Sequence, residues 1–265
     1  MTDYREKLSV CIVAYHNYDD IKNAIDTMEK YTSPIIKKHV YIVDNGNSPD
    51  YKEENEAFIS FLSSYPDVEY IDAESNLGFG KGNNKVVPLL YSQYHCIMNP
   101  DILFTEDAFF SVLKYMDENP SVGMVIPNIV DQNGKRQLVY RKEVTVFDMF
   151  IRMFCKGLFP KRMAEHTLQD QDYSKPFQVP FGQGSFLVIR TDLFKKLGGF
   201  DDRFFMYMED ADLCKRVNEV SKLMYYPGAT VIHKWEQGSH KNKKLFKYHV
   251  QSMNKYFKKW GYKLF

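Results

Sequence analysis

The chain has 265 residues, 44% of them hydrophobic and 26% charged, a balance that supports a folded core and excludes disorder over most of its length. A chain of this size buries about 70% of the surface its unfolded form exposes, enough for one large core with an appendage. With 35 Lys plus Arg against 34 Asp plus Glu, no global basic field exists to hold nucleic acid, so any basic partner surface is local. In chain order, the apolar run Leu8 to Tyr15 and the run His39 to Gly46 read as buried parallel strands. Asp19-Asp20 opens a helix between them, with Ile21, Ala24, Ile25 and Met28 on one face, and Ser33-Pro34 stops it. A second helix is expected over Lys52 to Ser63, a third strand over Val68 to Ala73, a helix over Gly82 to Tyr91, and a fourth strand running into Pro100-Asp101.

This alternation predicts an α/β fold, a doubly wound and mainly parallel sheet flanked by helices, whose ligands sit beyond the carboxyl ends of the strands. Asp44, Asn76 and Asp101 fall there. After Val122 to Asp131 and the turn Gln132-Asn133-Gly134, an aromatic amphipathic stretch follows, then a polar segment from Lys161 to Lys175 that reads as a loop. Order resumes with Phe181 to Arg190, a helix at Asp192 to Leu197, a helix beginning near Asp210, and a strand over Lys222 to His233. The expected organisation is one domain over 1–240, its nucleotide-binding half in 1–130 and its acceptor half in 131–240, followed by a basic helix in 241–265. Cys11, Cys96, Cys155 and Cys214 are widely spaced and form no CxxC pair, which reads as reduced, mostly buried thiols in a cytoplasmic protein. No run reaches the ~18 apolar residues of a membrane span, and the greasiest stretch, Phe147 to Phe159, is broken by Asp148, Arg152 and Lys156.

Four places can carry chemistry. Asn76 to Asn84 (NLGFGKGNN) has three glycines, which suit a backbone approaching a phosphate or ribose, or equally a glycine turn packed on the sheet. It is neither a dinucleotide fingerprint nor a P-loop. Asp101, after Asn99-Pro100, can reach a divalent cation whose remaining ligands come from substrate phosphates, or can simply make a turn. Gly198 to Val217 crowds Asp201, Asp202, Glu209, Asp210 and Asp212 among aromatic and Met side chains. Carboxylates there can cap a helix, and Glu209-Asp210 can serve as a base whose basicity burial tunes. His233 ends a strand and matters only in combination with these. A nucleophile elbow is missing, which leaves covalent hydrolase chemistry unsupported.

Together, SVCIVAYHN, VDNGNS, NLGFGKGNN, MNPD, GGFDDRFFMYMEDADLCKR and the late His233 resemble a family 2 glycosyltransferase of the GT-A fold, and within it the bacterial rhamnosyltransferase-like branch that builds surface polysaccharides. The resemblance implies that Asp44 binds the nucleotide base, that Asn76, Lys81 and Asn83 lie near the ribose and diphosphate, and that Asp101 and His233 bind a magnesium or manganese ion. It implies that Asp210 is the catalytic base, with Glu209 beside it. Asn99 stands where the family's DxD motif has its first Asp, which leaves one fewer negative charge for the cation. The implied reaction is inverting transfer of a sugar, rhamnosyl first and galactofuranosyl or another hexosyl second, from a nucleoside diphosphate to a saccharide or lipid-linked acceptor. The competing readings are a nucleotide-sugar-binding subunit without transfer, and nucleotidyltransfer, which wants a basic glycine-rich loop where VAYHNYDD is acidic.

The last segment carries eight lysines between Lys241 and Lys263. Phe246, Val250, Met253, Phe257 and Trp260 recur on one helical stripe. Such a helix either packs on the domain with its lysines solvated or lies on an anionic membrane, the latter suggested by a second stripe, Phe147, Phe150, Ile151, Phe154 and Leu158.

Overall fold

The computed structural model describes residues 6–154, 157–234 and 243–265. β1 (Glu6–Ala14), β2 (Lys38–Asp44), β3 (Val68–Asp72) and β4 (Ser92–Met98) are parallel neighbours in the order β3-β2-β1-β4. The helix α1 (Tyr18–Tyr31) turns Tyr18, Ile21, Ala24, Ile25 and Met28 onto the sheet, and α2 (Lys52–Leu62) buries Phe58 and Leu62. Parallel strands covered on both faces must be apolar throughout, which is why β1 and β2 read as continuous rather than alternating runs.

The helix expected over Gly82 to Tyr91 lies earlier and is shorter: α3 covers Phe79–Asn84, and a single 3-10 turn follows at Val87–Leu89. Pro88 in that turn lacks the amide proton that a longer helix needs. β5 (Ile102–Leu103) is followed by α4 (Ala108–Glu118), capped by the Asp107 side chain accepting from the Phe110 N–H, and then by β6 (Val122–Val130). Past this point the chain runs through β7 (Tyr140–Arg141), α5 (Val146–Phe154) and α6 (Pro160–His166). The polar segment expected as a loop therefore begins as a helix, because Pro160 sits at its first turn, where no amide donor is needed.

β8 (Phe177–Gln178), β9 (Phe181–Gly182) and β10 (Phe186–Arg190) come next, with α7 (Thr191–Lys196), α8 (Glu209–Val220), β11 (Lys222–His233) and α9 (Lys243–Trp260) completing the described chain. β10 inserts antiparallel between β4 and β6, β11 lies parallel to β6, and β7 pairs with β9 in a separate small sheet. Cys11, Cys96 and Cys214 are free and buried as expected, while Cys155 lies outside the described residues. No described helix is long and apolar enough to cross a membrane.

Candidate active site

Strand ends bring the expected residues to one side of the sheet. Asp44, the last residue of β2, is fully buried: Tyr18 OH, Asn55 Nδ2 and Tyr70 OH donate to its Oδ2 at 2.8, 2.8 and 3.0 Å, and the Gly46 N–H donates to its Oδ1 at 2.8 Å. Beside this network His16, at φ 58° just after β1, stacks on Tyr51 with ring centroids 3.7 Å apart. The two line a cavity of about 490 Å³ with Asp19, Lys22 and Glu54. Sequence reading missed this aromatic wall, since His16 enters only as part of SVCIVAYHN and Tyr51 lies outside every motif.

The glycine motif packs against the acidic motif that follows it by more than a hundred positions. Gly78 has φ +78°, and a Cβ there would stand 1.9 Å from the Phe205 carbonyl oxygen, so only glycine fits. The next residue, Phe79, donates its N–H to that same carbonyl at 3.2 Å. Gly80 lies under Phe200, Gly82 under Val13, and Asn84 Oδ1 accepts from the Phe200 N–H at 2.8 Å. These glycines permit close approach of two chain segments. Asn76 Oδ1 accepts from the Gly78 N–H, and Asn83 is fully buried with its Nδ2 donating to the Phe79 carbonyl, whereas Lys81 is exposed on the outer side of α3.

The clasp positions the start of α8. Tyr207 and Met208, neither a glycine, both sit at φ 68° immediately before Glu209 and Asp210. Consecutive left-handed residues cost on the order of 1–2 kcal/mol each and persist only where the surroundings over-determine them. Those surroundings are α9: Ser252 Oγ donates to the Met206 carbonyl at 2.8 Å, Lys255 Nζ to the Arg203 carbonyl at 2.6 Å, and the Tyr207 ring lies tilted against His249 with centroids 4.7 Å apart. Lys259 bridges Asp201 at 2.7 Å and the fully buried Asp212 at 2.6 Å, and Trp260 Nε1 donates to Asp212 at 2.8 Å. Hence Lys259 is tied into the domain by ion pairs, while Lys255 stays exposed with its ammonium on the Arg203 carbonyl. Of the expected apolar stripe, Phe257 is buried, while Phe246 and Val250 are 40% and 41% exposed; the buried side is centred instead on Ser252, Tyr256 and Phe257.

Asp210 is partly buried and held by two amides: the Gly184 N–H donates to Oδ2 at 3.0 Å and the Ala211 N–H to Oδ1 at 2.8 Å. Burial raises its pKa against these bonds and against the positive charges of Arg141 and Arg152. Glu209, 5% exposed, is pushed up to about 8 by burial and by the neighbouring Asp210 charge. Both carboxyls of the pair are thus held above their ordinary range, so each binds its proton more tightly than a free side chain does.

On the far side, Asp101 Oδ1 stands 3.3 Å from His233 Nε2, with Asn99 Nδ2 at 3.5 Å from the same nitrogen. Gln137 Nε2 donates to the His233 carbonyl at 2.7 Å, which turns its Oε1 toward His233 Nδ1 at 2.9 Å. His233 Nδ1 is therefore the protonated nitrogen, and Nε2 is aimed at Asp101. An outer-sphere amide that fixes the tautomer is what a histidine ligand requires. Among the described residues no three His, Cys, Asp or Glu side chains converge, so a cation here would take two protein ligands and draw the rest from substrate phosphates.

The family model described as Glycosyl transferase family 2 matches residues 9–198. The chain belongs to that family. It is 27% identical over 261 residues to the rhamnosyltransferase WbbL of Escherichia coli, covering 93% of this chain and 91% of the relative. It is 27% identical over 208 residues to the N-acetylglucosaminyl-diphospho-decaprenol L-rhamnosyltransferase of Mycobacterium tuberculosis, covering 73% of this chain and 66% of that protein. Among solved structures, GalNAc-T7 with UDP, GalNAc and Mn2+ superposes with TM-score 0.66 at 16% identity over 88% of this chain and 44% of that one. The mannosyltransferase PcManGT from Pyrobaculum calidifontis with GDP-Man and Mn2+ gives 0.63 at 16% identity over 97% and 66%. The fold is that of the GT-A glycosyltransferases, and the protein is a glycosyltransferase.

Proposed function

We propose that the protein is an inverting transferase that moves a sugar, rhamnosyl as the first assignment, from a nucleoside diphosphate to a hydroxyl of a lipid-linked saccharide. The observation that carries this is the state of the Glu209-Asp210 pair. Asp210 is a carboxyl of raised basicity, fixed by two amides and partly open, and so fitted to take the proton of an attacking hydroxyl. That hydroxyl attacks the anomeric carbon as the bond to the diphosphate breaks on the opposite face, and the configuration inverts without a covalent intermediate. Asp101 and His233 would hold a magnesium or manganese ion, which when bound offsets the charge of the leaving diphosphate. Asn99 supplies a neutral amide beside them, Asp44 with His16 and Tyr51 faces the base side, and Asn76, Lys81 and Asn83 shape the loop next to the ribose and diphosphate.

The lipid-linked acceptor is supported by the relatives named as rhamnosyltransferases, one of them acting on a diphospho-decaprenol, and by an apolar surface beside α5. Phe147 touches the rings of Phe159 and Phe265, which are 42% and 71% exposed, with Leu158 and Leu264 also outside and Arg162 alongside. Apolar side chains rimmed by basic groups suit weak attachment to an anionic membrane from the cytoplasmic side. A UDP-hexose donor is the second reading, since a related Haloferax volcanii protein is a hexosyltransferase and the Staphylococcus aureus TarS structure holds UDP-GlcNAc. A donor screen on the purified protein, reading nucleoside diphosphate release with and without acceptor and with and without chelator, decides. Release only from a rhamnosyl donor, and only with metal, is expected; acceptor-dependent release from a UDP-hexose alone replaces the first assignment by the second.

A further inference from the structure

Two arginines, Arg141 in β7 and Arg152 in α5, feel the Asp210 charge but form no ion pair with it among the described residues. Arg141 is 6% exposed. Its Nη2 makes two long contacts, to the Leu138 carbonyl and to Gln183 Oε1, both at 3.4 Å, and its guanidinium lies 5.4 Å from the centroid of the Phe181 ring. Among the described residues its Nε and Nη1 have no partner, and neither Arg141 nor Arg152 has a carboxylate within ion-pair distance. Arg162, in the same region, shows the ordinary solution: its Nε stands 2.6 Å from Asp148 Oδ1. Burial and the Arg152 charge pull Arg141 down to about 9, and burial likewise lowers Arg152, in both cases against the opposing pull of the Asp210 charge. Two buried guanidinium groups that share one carboxylate at a distance, with no direct ion pair, leave room for a further anion to meet them.

The location says which anion. Arg141 contacts Gln183 Oε1, and the next residue, Gly184, donates its N–H to Asp210, so one short strap links the arginine to the base. Arg152 belongs to α5, whose next outward residues lead to the exposed Phe150, Leu158 and Phe159. The two arginines therefore lie beside the catalytic carboxylate, toward an apolar surface. A prenyl-diphosphate saccharide presents the same three parts in the same order: a hydroxyl, a diphosphate and a lipid.

We propose that Arg141 and Arg152 form a second diphosphate site, which takes the diphosphate of the acceptor and leaves that of the donor to the Asp101 and His233 side. This rests on the lipid-linked acceptor proposed above. Guanidinium forks meet phosphate oxygens through paired charge-assisted hydrogen bonds, so the site sets which acceptor hydroxyl reaches Asp210.

The test has a binding arm and a kinetic arm. Inorganic pyrophosphate is titrated onto protein already saturated with nucleoside diphosphate. The parent should still bind it, and Arg152→Gln and Arg141→Lys should weaken that binding by about ten- to a hundredfold, the loss expected for hydrogen bonds to a charged group, while nucleotide affinity stays unchanged. Pyrophosphate displaced competitively by nucleotide would assign the arginines to the donor and overturn the proposal, as would variants that bind like the parent. In the kinetic arm, a prenyl-diphosphate saccharide is compared with the octyl glycoside of the same saccharide. The variants should raise KM for the first about tenfold more than for the second, any loss common to both acceptors reporting the effect of the arginines on Asp210; equal losses on both would mean that the arginines act only through Asp210 and would overturn the proposal. Transfer by the parent to neither acceptor sinks the lipid-linked reading, and the pyrophosphate arm then still decides the site. Arg152 lies on a partly exposed helix face, which keeps one variant usable if the buried Arg141→Lys fails to fold.

Discussion

The first 130 residues and the remainder are held together by different means. In the first part, β1 pairs with β2 in unbroken register from Leu8↔Lys38 to Ala14↔Asp44 and with β4 on its other side, so the backbone ladder itself delivers side chains to the strand ends. In the second part, the acidic turn has no strand to hold it. It is fixed by a glycine that admits a carbonyl, by two left-handed residues, and by a terminal helix reaching back through Ser252, Lys259 and Trp260. A ladder places residues through short periodic patterns, whereas a clasp relies on individual contacts between distant segments. The first tolerates many sequences; the second depends on a few side chains.

The sharpest way to break the second part without touching the first is at Asp210. Asp210→Asn should lower transfer by about 100- to 10,000-fold with nucleotide affinity retained, and near-normal turnover of the pure variant would remove the assignment of base. Gly78→Ala tests the joint between the two parts. It forces a methyl to within 1.9 Å of the Phe205 oxygen at a positive φ, and the expected loss is about 2–5 kcal/mol from backbone strain and overpacking together. Denaturant unfolding reads it directly, and a parent-like midpoint would show that the clasp gives way at little cost.

Smaller effects sharpen the comparison. Lys259→Met keeps the apolar stem of the side chain but leaves buried Asp212 with Arg216, at 2.8 Å, and Trp260, for an expected loss of about 1–3 kcal/mol. Thermal unfolding checks this, and an unchanged melting temperature would place α9 outside the support of the turn. Glu209→Gln probes the pair's protonation. The folded pKa of Glu209 lies above its ordinary 4.5, at about 8, so the folded state binds the extra proton between those values. The stabilisation it gives is full below about 4.5 and is lost as pH rises toward 8. Relative to Glu209→Gln, the parent should therefore lose stability across that window, and parallel melting curves for the two proteins from pH 5 to 8 would show that Glu209 ionises freely.

The sequence by itself determined the β-α-β alternation, the apolar faces of α1 and the parallel strands, the order of the motifs, and the candidates Asp44, Asn99, Asp101, Glu209, Asp210 and His233. Local propensity and hydrophobic period suffice for the elements, and chemistry-bearing residues at strand ends stand out wherever the strands themselves do. Only the tertiary structure decided what the glycines of NLGFGKGNN do, because the Phe205 carbonyl that requires Gly78 lies over a hundred residues away. Tertiary packing also decided that Gln137 orients His233, that Lys259 reaches into the domain, and that Arg141 and Arg152 come near Asp210 without an ion pair. None of these has a local period or spacing. Each is a pairing of side chains that folding brings together from unrelated elements, and a pattern confined to one stretch of chain cannot encode which distant partner a polar group will meet.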